Sequence, residues 1–87
     1  MLEPMIGEKV VVDLSSPYVC LGTLEAFDVH FLKIKNADLH DLRDTETTRE
    51  NYVIASLTTG IKRNRKKVLV RRAEVVAVTR LKDVVDE

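Results

Sequence analysis

A glycine inside a run that otherwise alternates like a β-strand is the tightest local constraint in this chain. From Tyr18 to Phe27 the pattern puts Tyr18, Cys20, Leu24 and Ala26 on one face and Val19, Leu21, Thr23, Glu25 and Phe27 on the other, with Gly22 interrupting the first set. Glycine weakens a strand interior, and the settings that tolerate it are a sharp bend or a close approach of another backbone. We read Gly22 as a bend that curls a sheet over its own core. Asp28 then supplies turn chemistry and sets His30 at a loop tip.

The flanking segments supply partners for that strand. Pro4 suits the first position of a short helical turn, which Met5 and Ile6 anchor and Gly7 ends. Lys9 to Leu14 reads as a strand, with Val10, Val12 and Leu14 on one face and Val11 and Asp13 on the other. Ser15, Ser16 and Pro17 make a hairpin turn into the Gly22 strand. After the loop, HFLKIKNA returns as a third strand in which Leu32 and Ile34 alternate with Lys33 and Lys35, one face buried and one wet.

The period then changes. From Asp38 to Glu46 the chain is polar; its carboxylates suit an acidic turn before a helix N-terminus better than a metal site. Thr47 with Glu50 fits a capping box and Gly60 a C-terminal stop, so a helix is predicted near Thr48 to Thr59 with Val53, Leu57 and Ile54 as its apolar stripe. A strand over Tyr52 to Leu57 is the alternative, because β-branched residues are indifferent helix formers. KRNRKK is a basic hairpin connection or strand start. Two short strands follow, Lys67 to Arg72 and Val75 to Leu81, with a tight turn near Ala73 and a frayed tail after them.

A chain of 87 residues is expected to be one domain. At that length it buries only about 60–65% of its unfolded surface, so association would help its stability. With 45% hydrophobic and 32% charged residues it falls in the globular class. There is no apolar run of membrane-spanning length and no basic leader before one, so no membrane partner and a cytoplasmic setting are expected. The single cysteine, Cys20, excludes an internal disulfide and reads as a small buried hydrophobe.

Fourteen basic and fourteen acidic residues cancel, but unevenly. Lys62, Arg63, Arg65, Lys66, Lys67, Arg71 and Arg72 crowd one stretch, while Asp38, Asp41, Asp44, Glu46 and Glu50 crowd another. That asymmetry implies two faces, one fit for a polyanion. Lys62, Arg63 and Arg65 are candidate phosphate contacts on this ground. No nucleophile stands with an evident base and no glycine-rich phosphate loop is present, so neither an enzyme nor a cofactor is expected.

Gly22, Leu24, the Phe27-Asp28 pair and His30, followed much later by VLVRRAEVVAV, resemble the two-part motif of the Sm and Sm-like (LSm) family. The resemblance covers about Val10 to Ala37 and Val68 to Arg80. It implies a mainly β fold: a strongly bent five-stranded antiparallel sheet, an SH3-like barrel, with a short N-terminal helical turn. A helix would lie in a 38–61 insertion between strands 3 and 4. It further implies subunits joined edge to edge into a hexameric or heptameric ring that binds single-stranded RNA near its pore. Carried over position by position, His30 takes the base-stacking place and Arg71 the place of the arginine that covers the base. Arg72 stands where the family has glycine, and Leu32 where it has a base-reading Asn; a one-residue slip would put Phe31 there instead. Neither side chain offers the hydrogen bonds that read uracil, so the implied RNA binding has weak sequence specificity. The alternative is a structural or protein-interaction ring that has lost uridine reading and meets a protein partner through 38–61.

Overall fold

The computed structural model describes residues 1–86. Five strands, β1 (Lys9–Leu14), β2 (Tyr18–Phe27), β3 (Phe31–Asp41), β4 (Arg65–Arg71) and β5 (Val75–Arg80), form one antiparallel sheet in the order β4-β3-β2-β1-β5. A helix, α1 (Arg49–Thr59), lies between β3 and β4, and a 3-10 turn, Glu3–Met5, precedes β1. This is the mainly β, bent five-stranded architecture expected.

The bend sits where the glycine is. The β2–β3 register passes from Leu21↔Asp38 to Thr23↔Lys35, so β3 carries one extra residue opposite Gly22. Asn36, at φ 50°, takes up the irregularity in the left-handed region that asparagine tolerates. A second shift, from Leu24↔Ile34 to Ala26↔Lys33, returns the extra residue to β2 at Glu25. Bulges bend and twist a ladder locally, and two of opposite sense flank the point where the sheet folds over. Gly22 itself is fully packed: a Cβ there would lie 2.5 Å from Ile34 Cγ2 and 3.0 Å from the Lys35 carbonyl oxygen.

Both faces of the β1–β2 part of the sheet are buried, but by different partners. The inner face gathers Val10, Val12, Cys20, Leu24, Leu32, Ile34 and Val70 into the core enclosed by the bend. Burial there pushes the Cys20 thiol up to about 12, which leaves it inert. On the outer face, Val11, Val19 and Leu21 pack against Val53 of α1 and against Leu81. That explains why β1 reads VVV without alternation in burial: α1 covers the face that carries Val11.

Helix α1 starts one residue later than the capping-box reading gave. Thr48, not Thr47, is the N-cap, its hydroxyl accepting from Asn51 N at 3.1 Å. Gly60 closes the helix at φ 82°. Arg49 ties the first turn to the β1–β2 hairpin, donating to Asp13 Oδ1 at 3.2 Å and to the Ser16 carbonyl at 3.4 Å.

Strand boundaries differ from the sequence reading as well, β4 beginning at Arg65. Asp38 to Asp41 continue β3, pairing with Leu21 back to Tyr18, because β2 is long enough to offer them partners. Asp38 is buried there, and its carboxylate is satisfied by the Tyr52 hydroxyl and by Asn64 Nδ2 at 3.2 Å. Desolvation raises its pKa above the ordinary carboxylate value. The last strand ends at Arg80 and not Leu81, which is buried and begins a 3-10 turn, Leu81–Asp83, against α1.

Candidate nucleic-acid interface

The β2–β3 loop is built around one carboxylate. Asp28 Oδ1 accepts from both His30 N and Phe31 N, each at 2.7 Å, and Asp28 N donates to the Phe31 carbonyl at 2.9 Å. The His30 and Phe31 amides, as donors to the ionised form, hold the Asp28 pKa below its ordinary value. The turn after β4 locks the loop from the other side. Arg72 N donates to the His30 carbonyl at 2.8 Å, and the Arg72 guanidinium donates to the Asp28 carbonyl at 2.7 Å. That guanidinium also lies 5.8 Å from the centre of the Phe27 ring.

With its backbone pinned on both sides, the loop presents side chains outward. His30 and Val29 are exposed at the tip, and Phe31 is 38% exposed beside them. Phe31 and Arg71 are directly paired across the β3–β4 ladder, so both side chains stand on the outer face of the sheet. His30, Phe31 and Arg71 are therefore exposed side by side, two aromatic rings and one guanidinium, with Arg72 behind them.

Leu32 is not part of this cluster. It is 1% exposed, paired with Val70 and packed into the inner core, so it offers no surface to a ligand. The pleat decides the point: Leu32 and Ile34 face inward, which puts Phe31 outward at the position the one-residue slip indicated. Alternation along LKIK already carried that parity.

Arg72 is placed differently from a free phosphate-binding arginine. Its guanidinium braces the loop through the Asp28 carbonyl and Phe27, which makes it a positioning residue for His30 and Phe31. Lys62, Arg63 and Arg65 stand away from the loop, at the other end of the β3–β4 ladder. Arg65 pairs with Ala37, six residue steps along β3 from the Phe31↔Arg71 pair and about 20 Å at ~3.3 Å per residue. Arg63 donates to Asn36 Oδ1 at 2.6 Å.

Asn64, in the middle of the basic run, serves a different purpose that its composition concealed. Its main-chain N donates to the Ala37 carbonyl at 2.8 Å, and its side chain both accepts from Leu39 N and donates to the Leu39 carbonyl at 3.0 Å. The amide thus imitates a strand residue and starts the β3–β4 ladder. Among the described residues, no three or more His, Cys, Asp or Glu side chains converge as metal ligands. Among the described residues, no helix is long and apolar enough to cross a membrane.

The strand order, the paired bulges around Gly22 and the loop packed under the β4–β5 turn define an Sm-like fold. Among solved structures, the chain is similar to an Sm protein of Pyrococcus abyssii in complex with a uridine heptamer, with a TM-score of 0.63 over 91% of this chain and 90% of that one. Identity over that match is 16%, so the likeness is one of fold. No family model matches the sequence, and no curated protein matches it.

Proposed function

We propose that residues 1–87 form one Sm-like domain that assembles edge to edge into a ring and binds single-stranded RNA with weak base specificity at the His30 loop. The observation that carries the reading is the exposed cluster of His30, Phe31 and Arg71 on a loop whose backbone is held by Asp28 and Arg72. Aromatic platforms stack any base, at about 1–3 kcal/mol each, and arginine adds charge and a stacking plane of its own. Phe31 brings a ring but no donor or acceptor, so uracil has nothing there to distinguish it. The similar Sm protein, solved with a uridine heptamer, supports a nucleic-acid ligand for the fold.

Assembly is supported by the sheet edges. β4 and β5 are the two outer strands, and they leave Leu69 60% and Val76 69% exposed. Unprotected edges of this kind invite strand pairing, and head-to-tail pairing closes into a ring. The insertion contributes less to partner binding than to folding, because Val53 is 6% exposed and turned onto the sheet.

Fluorescence anisotropy with labelled oligouridine and oligoadenine at low salt tests the reading. Binding to both, with affinities within about tenfold, is expected, since without a base-reading hydrogen bond discrimination stays small. Absence of binding at micromolar protein would overturn the RNA ligand, and a monomeric mass by light scattering would overturn the ring.

A further inference from the structure

The outer face of the sheet is divided into two halves. α1 covers the β1–β2 half through Val53, whereas the β3–β4 half is uncovered and carries Lys33, Lys35 and Lys67. Lys35 and Lys67 are direct cross-strand partners, and Lys33 is the partner of Leu69. Like charges placed opposite one another destabilise a ladder, so this face is built against its own stability. One carboxylate stands among the three ammoniums: Glu25, at the β2 bulge, contacts Lys33 Nζ at 3.2 Å and Lys67 Nζ at 3.7 Å. Among the described residues no carboxylate reaches salt-bridge distance of Lys35. The uncompensated charge lies between Arg71 at one end of the ladder and Arg65 at the other.

We propose that the outer face of the β3–β4 ladder is a phosphate track that carries a single RNA strand from the His30 loop toward Arg65. The inference rests on the RNA-binding reading and extends it to a second contact surface. It also gives the distant basic run a role, because the lysine ladder joins that run to the loop. Continuity with the aromatic cluster is what selects single-stranded RNA over an acidic protein segment, since a strand whose base stacks on Phe31 has its next phosphates beside Lys33 and Lys35. The lysines carry no acceptor and fix no base, so the track binds sequence-independently. Glu25 holds two of the ammoniums in place from below.

The test compares wild type, Lys35→Ala/Lys67→Ala and Phe31→Ala for binding to a short oligouridine and to a several-fold longer one, across a salt series. On long RNA the double lysine variant should bind more weakly, with a salt slope shallower by about 1.4, or ~0.7 for each lost phosphate contact to a single strand. On short RNA it should match wild type. Phe31→Ala should weaken both RNAs and leave the slope unchanged. Urea unfolding should find the lysine variant folded with a midpoint close to wild type, because removing the like-charge pair offsets the loss of the Lys67–Glu25 contact. An unchanged slope on long RNA, or an equal loss on short and long, overturns the track while leaving the loop site standing. Failure of wild type to bind either RNA overturns the RNA reading and the track together.

Discussion

Substituting Gly22 by alanine adds one methyl group at the point where the sheet bends hardest. The structure fixes what that methyl meets: Ile34 Cγ2 at 2.5 Å, the Lys35 carbonyl oxygen at 3.0 Å and Ala37 Cα at 3.1 Å. Ile34 is fully buried, and the other two atoms are main chain at the Asn36 bulge, so none can swing aside into solvent. Overpacking of this kind costs about 1–3 kcal/mol. Alanine gains back about 0.4–1 kcal/mol by restricting the unfolded chain. The net expectation is a destabilisation of about 1–2 kcal/mol, or roughly 5–15 °C in Tm for a domain of this size. Urea unfolding should show a lower midpoint with an unchanged m-value. Ile34→Leu removes the branched methyl nearest the new Cβ at nearly constant volume, so Gly22→Ala/Ile34→Leu should be more stable than the two single effects add up to. Rescue should be partial, because the main-chain contacts persist. A Gly22→Ala protein as stable as wild type would refute the claim that close approach, and not backbone freedom, fixes glycine at the bend.

Three further expectations follow from the charges and the core. Asp28 has a lowered pKa in the fold, so its stabilisation is present above its ordinary value of 3.8 and lost as pH falls through the lower folded value; Asp28→Asn should flatten that acid limb in pH-dependent unfolding, and Asp28→Ala should speed amide exchange at His30 and Phe31. Asp38 has the opposite sign, since its raised pKa makes the buried carboxylate a cost at neutral pH that lessens as pH falls through the folded value; Asp38→Asn should melt at or above wild type at pH 7, and a clearly lower melting point would show that the bonds from Tyr52 and Asn64 need the charge. Val53→Ser should destabilise the protein by about 2–3 kcal/mol by unpacking α1 from Val11 and Leu21, whereas Leu57→Ser, at a 40% exposed site, should stay within about 0.5 kcal/mol; equal effects in urea would refute the docking described.

That last pair marks one limit of reading the sequence. Val53 and Leu57 share a helical stripe in the primary structure, and nothing local separates them. The difference arises from Val11, Val19 and Leu21, whose face the alternation of β1 and β2 left without a partner. Burial of both sheet faces is non-local information, supplied by a helix that follows two strands later. Asp38 was misplaced for a related reason. A carboxylate reads as a loop residue until Tyr52 and Asn64 arrive from other elements to satisfy it, and only then can β3 run on beside β2.

The loop was more legible, and its one misreading is instructive. Gly22, Asp28 and the lysine alternation place the bend, the turn and the wet face from the sequence alone. Counting forward from Gly22 put Leu32 at the base-reading position, while the pleat turns Leu32 inward and Phe31 outward. A shift of one residue exchanges every side chain between the two faces of a strand, so the burial of Leu32 and Ile34 decides the register against any count that crosses a bulge. The bulge at Glu25 lies between Gly22 and the loop, so a count from the glycine does not carry the parity of β3. The same bulge places Glu25 beside Lys33 and Lys67, so the irregularity that obscures the register also sets the carboxylate that pairs with both.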